Sequence, residues 1–457
     1  MKTISQLFIK GLIFLLCLSA FAGCKKFLDA PPLNVVTKAE ALKDEAGVAA
    51  VMNSAYQILG GGNVFGGRYQ VISELMADQI QGNLLSGDFG EIYGRKTSVF
   101  GDYKNNFYTE IYQANFRANT VLENLEVTAA KRDDLEGQAR FVRAFAHFIS
   151  VRLFAQPYGY SANNDHLGVP LRISTAKDAG VRATVKQVYD LIISDLKIAE
   201  NKMNDVNPGY PTKWAAKALL AKVYFSMNDF ANAYNYANQV ISSGKFTFET
   251  DYSKRFSEGQ STEAIFQIVN TVGSYDTGGE LRGQFRSDFN LPTLRFTAAV
   301  YSAVNTPNDI RKAWFNIVKY PGEIPTTKYN KERFNVSVIH LTDMKLIRAE
   351  SAAERNENLN VAIGDINDIL NRAYAGTKSI PVGSSALLVK TNARFERAIE
   401  MVAEGDRLYE IKRIGARGEN IDKRGAAWNC NGLVLQFPQG EISSNTSFVR
   451  NPEGGCN

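Results

Sequence analysis

The chain has 457 residues, 45% of them hydrophobic and 22% charged. At roughly 150 residues per domain this is about three modules or one large one, and the composition excludes a disordered, collagenous or multi-span membrane protein. The formal net charge of +5 is too small to point to a nucleic-acid partner.

The N-terminus reads as a targeting segment. Lys2 and Lys10 precede an apolar run from Gly11 to Ala22, and a membrane-spanning helix would need about 20 apolar residues, so residues 1–23 are expected to be a signal peptide. Ala22 and Gly23 before Cys24 have the form of a lipobox, which makes Cys24 the expected lipidation site; Phe21 stands where such motifs usually carry Leu, Val or Ile. A lipid-modified N-terminus holds a chain on the membrane at about 0.8 kcal/mol per buried methylene. Cys17 would leave with the signal, so Cys430 and Cys456 remain. Two cysteines and three scattered histidines (His147, His166, His340) do not make a zinc site, and a disulfide is expected between those cysteines.

The body starts at Thr37-Lys-Ala-Glu40, a capping box that predicts a helix over about 38–59. The Gly60–Gly67 run breaks it. Residues 82–106 are rich in Gly, Asn, Asp and aromatics and read as a long irregular segment. Helical periodicity returns over 107–156, with Tyr108, Ile111, Asn115, Ala118, Leu122 and Leu125 on one face and Leu135, Ala139, Val142, Phe145 and Leu153 on the next, predicting two antiparallel helices. Thr184-Val-Lys-Gln187 is a second capping box, opening a helix that turns Val188, Leu191, Ile192, Leu196 and Ala199 inward. Residues 212–243 have the form of a tetratricopeptide-type hairpin, with Leu220, Ala221, Tyr224 and Ala233 at the motif's spacing. A second hairpin is expected at 343–373 and a third helical block over Asn392–Arg413. Between them, 245–335 should hold short strands, Phe246-Thr-Phe248 and Glu263–Val269 among them, and a Gly/Asp/Arg-rich loop at 273–290.

Enzyme signatures fail on inspection. Gly61 and Gly66 have P-loop spacing, but Gly67-Arg68 stands where Lys-Ser/Thr must serve phosphate and magnesium. Asp88-Phe89-Gly90 matches a kinase tripeptide without a His-Arg-Asp loop to accompany it. The charged block holding Glu400, Glu404, Asp406, Arg407 and Glu410 reads as structural, broken at Gly405 and cross-linked by Arg407. His147, among Phe145, Phe148 and Leu153, reads as a core histidine. Trp214 and Trp428 read as packing residues, which leaves Trp314 as a candidate aromatic platform. Sugar rings stack their C–H faces on aromatic rings and bond their hydroxyls to Asn, Asp and Arg. Asn83, Phe89, Tyr93, Arg95 and Tyr103 in the first irregular segment, and Tyr275 and Arg282 in the second, are therefore candidate ligand-binding residues, expected to converge into one shallow site.

Read in order, Cys24-Lys-Lys-Phe-Leu-Asp29, Ile111-Tyr-Gln-Ala-Asn115, Gln138–His147, Gly168-Val-Pro170, Thr184–Asp190, Ala216–Tyr224, Glu404-Gly-Asp-Arg407 and the ending Phe437-Pro-Gln-Gly-Glu-Ile442 with Asn445 resemble the SusD/RagB family across nearly the whole chain after Cys24. The resemblance implies a mainly α fold, with tetratricopeptide-like helix pairs as scaffold and irregular loops with a few short strands. It divides 24–457 into an N-terminal part to about 230 and a C-terminal part from about 231. It implies no catalysis, and no cofactor or metal ligand is assigned: it implies a lipid-anchored outer-membrane protein, exposed at the cell surface, that captures an oligosaccharide and passes it to a TonB-dependent SusC-like transporter. Only three tryptophans are present, which leaves stacking to Tyr and Phe, or the ligand a peptide as in some relatives. A lipid-anchored scaffold for protein partners and a surface glycosidase with paired carboxylates are the other readings.

Overall fold

In a computed structural model, which describes residues 37–177, 180–270, 277–419 and 424–456, side-chain caps set the helix starts. Thr37 accepts from the Glu40 amide at 3.2 Å while Glu40 accepts from the Thr37 amide at 3.0 Å, opening α1 (Lys38–Ala41). Asp44 then accepts from the Gly47 amide at 2.9 Å and opens α2 (Glu45–Gly60). The single helix predicted over 38–59 is thus two, because Asp44 takes an amide that a continuous helix would have bonded to its own backbone.

Next come α3 (Arg68–Met76), α4 (Gly87–Tyr93), α5 (Asp102–Leu122) and α6 (Arg132–Phe154). Strands β1 (Leu167–Pro170) and β2 (Arg182–Thr184) form an antiparallel ribbon that pairs Leu167 with Thr184. Its last residue caps α7 (Val185–Lys202) through the predicted box with Gln187. The first hairpin is α8 (Lys213–Ser226) and α9 (Phe230–Ile241), each opened by a side-chain cap, Thr212 and Asp229. Strand β3 (Ala264–Ile268), short helices α10 (Gly279–Phe285) and α11 (Ala298–Val304), and β4 (Val336–His340) follow, with β3 and β4 antiparallel. Phe246–Phe248, expected as a strand, is irregular. The second hairpin is α12 (Leu341–Arg355) and α13 (Leu359–Ala373), turned by Asn356 and Asn358 in left-handed conformation. The third block is α14 (Ala386–Glu400) and α15 (Arg407–Gly415), and α16 (Gln439–Ser444) precedes the C-terminal tail.

Consecutive helices pack on one another, α5 on α2 and α6, α6 on α7, α8 on α9 and α12 on both α13 and α14. The motif alanines Ala221, Ala233, Ala349, Ala352 and Ala362 are fully buried, so small side chains let the backbones approach. His147 is a core histidine: its Nδ1 lies 2.8 Å from the Arg143 carbonyl, its Nε2 accepts from the Arg172 amide, and burial lowers its pKa to about 4. Cys430 and Cys456 are joined by a disulfide that ties the tail back to the body.

The charged block around Gly405 is interior rather than a solvent face. Glu400 is fully buried and accepts from the Tyr252 hydroxyl at 2.6 Å, Arg372 at 2.9 Å, Arg311 at 3.1 Å and Arg255 at 3.2 Å. Arg311, also fully buried, bonds Asp309 and Glu396 as well, at 2.9 and 2.6 Å. Glu404 accepts from Lys328 at 3.0 Å and lies 3.0 Å from His340 Nε2. Burial opposes ionisation of these carboxylates, but the surrounding cations outweigh it and hold Glu404 down at about 2 and Glu400 well below the carboxylate range. Arg407 does cross-link, to Asp78 at 2.8 Å.

Candidate functional site

The two irregular segments named as ligand loops meet at Tyr103. Its amide is held by Asp88 at 2.7 Å, its ring stands edge-on to Phe89 with centroids 4.8 Å apart, and its hydroxyl donates to Glu280 Oε1 at 2.6 Å. Asp88 and Phe89 belong to α4, Tyr103 to the first turn of α5, and Glu280 to α10, so a bond spanning 177 positions in sequence joins the segments. Gly67 permits the approach: its φ is +148°, and a β-carbon there would lie 2.4 Å from the Leu281 amide nitrogen. The Arg68 guanidinium covers the Tyr103 ring at 4.2 Å and donates to the Tyr103 carbonyl. Burial, reinforced by the Glu280 charge, holds the Tyr103 hydroxyl far above the phenol range, so it acts as a donor.

Tyr93 ends α4 on a separate support. Arg424 lies over its ring at 3.7 Å and donates to the Tyr93, Leu75 and Ala77 carbonyls. Gly82 passes so close that a β-carbon there would lie 2.0 Å from Tyr93 Cε1. Asn83 is exposed beside this turn. Arg95 is set apart from the other candidates: it is buried, and its guanidinium donates to the Met76 and Ala77 carbonyls at 3.0 and 3.3 Å, anchoring the end of α3. Arg282 is half-buried and donates to the Glu332 carbonyl. Tyr275 and Cys24 lie outside the described residues.

Sequence reading passed over three participants. Phe289 is 66% exposed, with Arg286 over its ring at 4.3 Å and Arg286 in turn held by Asp288 and Glu332. Its position in the 273–290 loop was a signal that could have found it. Arg68 and Arg424 carry no local signal, since the rings they cover are 35 and 331 positions away. Within the two segments three rings are each covered by a cation: Tyr103 by Arg68, Tyr93 by Arg424 and Phe289 by Arg286. No helix among the described residues is long and apolar enough to cross a membrane, and no cluster of His, Cys, Asp and Glu among them could hold a metal ion.

Residues 26–225 match the SusD-like family described as starch-binding and associating with the outer membrane, and residues 222–432 match the SusD family. The chain belongs to the SusD family of carbohydrate-binding outer-membrane proteins. It is 24% identical to the SusD-like protein P2 of Formosa agariphila, over 96% of this chain and 98% of that one. Among solved structures, a SusD superfamily protein of Bacteroides thetaiotaomicron superposes with a TM-score of 0.79 at 21% identity, over 90% of this chain and 100% of that one. A SusD-like carbohydrate binding protein of Bacteroides vulgatus superposes with a TM-score of 0.69 at 17% identity, over 81% and 83%.

Proposed function

We propose that the protein captures an oligosaccharide at the cell surface and passes it, without chemical change, to a TonB-dependent SusC-like transporter in the outer membrane, to which Cys24 anchors it through lipid. The observation that carries this reading is the meeting of the two loop segments at Tyr103 and Glu280, on a chain whose family binds carbohydrate. Tyr93, Tyr103 and Tyr275, with Phe89, are the stacking groups; Asn83 and Arg282 supply polar contacts, and Arg95 fixes the backbone from which Tyr93 projects. The likeness to a carbohydrate-binding Bacteroides vulgatus protein favours a glycan over a peptide.

The test is an affinity screen of the purified protein against panels of oligosaccharides and peptides. Binding of an oligosaccharide is the expected result, and retention of peptides alone would overturn it. Co-purification with a TonB-dependent barrel from native membranes checks the transfer partner.

A further inference from the structure

Trp314, the tryptophan not accounted for by packing at the sequence level, borders a cavity that shares no lining residue with the Tyr93–Tyr103 face. The turn Thr250–Phe256, the short 3-10 turn Ile310–Trp314 and residues Thr327–Lys331 enclose about 600 Å³, within the range of small-ligand pockets. Trp314 and Tyr252 meet at 86° with centroids 4.8 Å apart, making an aromatic corner of half-buried rings, and Phe256 closes the wall. A corner of this kind offers a ring face for stacking and an edge beside it.

The polar lining is unevenly supplied. Lys328 is satisfied, donating to the Glu400 and Val402 carbonyls and to Glu404. Among the described residues Lys331 donates one bond, to the Ser253 carbonyl at 2.7 Å, which leaves two ammonium N–H groups. Arg255 is 2% exposed, and its outer nitrogens are taken by Glu400, Glu404, Glu263 and Thr342. The one acidic residue of the lining, Asp251, accepts from the Ser253 amide at 2.8 Å. The wall therefore presents the Lys331 ammonium beside an aromatic platform.

We propose that this cavity is a second binding site, for an acidic sugar: a uronate residue whose ring stacks on Trp314 and whose carboxylate is drawn to Lys331. The proposal rests on the reading of the protein as a glycan binder. It is tested by calorimetric titration of the full-length protein in detergent with a panel of uronate trimers, their methyl esters and neutral trimers. An acidic trimer should bind, at least about tenfold more tightly than its ester. Lys331→Gln should remove that preference, and Trp314→Ala should weaken binding of both acid and ester. Equal binding of acid and ester, or unchanged acidic binding in Lys331→Gln and Trp314→Ala, overturns the second site. In that case neutral sugars that still bind and are lost in Tyr93→Ala leave the glycan reading intact, whereas no saccharide binding at all defeats both.

Discussion

Replacing Arg311 by Met should be among the most damaging single changes in the chain. The side chain is fully buried and faces three carboxylates, Asp309 at 2.9 Å, Glu396 at 2.6 Å and Glu400 at 3.1 Å. Methionine fills much of the volume, so the loss is electrostatic rather than a cavity. Removing one partner of a buried ionic cluster costs about 3–5 kcal/mol, because the desolvated charges left behind no longer face a counter-ion. Glu400 keeps Arg255 and Arg372, and burial already raises the pKa of Glu396, so proton uptake by Glu396 relieves part of the penalty. The expected figure is therefore near the lower end, about 3 kcal/mol, with Tm lower by roughly 3–4 °C for a chain of this length. Guanidinium unfolding followed by far-UV circular dichroism measures it, and Arg311→Met/Glu396→Gln should recover about 1–2 kcal/mol by removing one of the two carboxylates, Asp309 and Glu396, that lose this cation. A single-variant loss below about 1 kcal/mol, or no recovery in the double variant, would refute the view of this cluster as a tightly coupled interior clamp.

Other perturbations test separate parts of the account. Glu74 is buried, accepts from the Gly405 amide, and has its pKa raised to about 8 chiefly by desolvation. A carboxyl raised above its unfolded value contributes stability that is present below about pH 4.5 and lost as pH climbs through about 8, so Glu74→Gln should gain on the native chain across that window. A difference independent of pH in denaturant titrations would contradict this. Glu404, held at about 2, has the opposite sign: its contribution is present above about pH 4.5 and lost as pH falls through about 2, and Glu404→Gln should flatten that acid limb. Cys430→Ser/Cys456→Ser should lower stability by up to about 3 kcal/mol on the chain-entropy estimate for this loop, and unchanged denaturant midpoints would show the tail to be docked without the bond. Cys24→Ala should release the protein from membranes and abolish lipid labelling; fractionation with outer membrane in the absence of any barrel partner would rule out that anchor.

Local chemistry made the scaffold legible. The capping boxes at Thr37 and Thr184 and the alanine spacing of the hairpins are signals confined to a few neighbouring residues, and each appears where expected. Helix α3 went unread although Gln70, Ser73 and Glu74 recur at helical spacing: it is short, follows the Gly60–Gly67 run, and has no side-chain cap to mark its start. The ionic interior was half visible. Glu400 and Glu404 stood out as a charged run, but their cations Arg311, Arg255 and Lys328 come from segments 72 to 149 positions away, and a charge run in sequence does not reveal which side faces water. The two irregular segments stood out by composition and do meet, yet Arg95, chosen as a polar contact, bonds backbone carbonyls, while Arg68 and Arg424, which cover the tyrosine rings, are positioned by tertiary contacts that composition does not encode.

The most direct measurement is calorimetric titration of the best oligosaccharide from the affinity screen into the native protein and into Tyr93→Ala, Tyr103→Phe and Tyr275→Ala variants, with Tm recorded for each. Stacking on a shallow face with a few solvated hydrogen bonds should give a Kd from about micromolar to millimolar in the native protein. Tyr93→Ala and Tyr275→Ala should lose most of that affinity at nearly unchanged Tm, while Tyr103→Phe keeps the ring and loses less. Full affinity in Tyr93→Ala and Tyr275→Ala would place the ligand elsewhere and contradict the account.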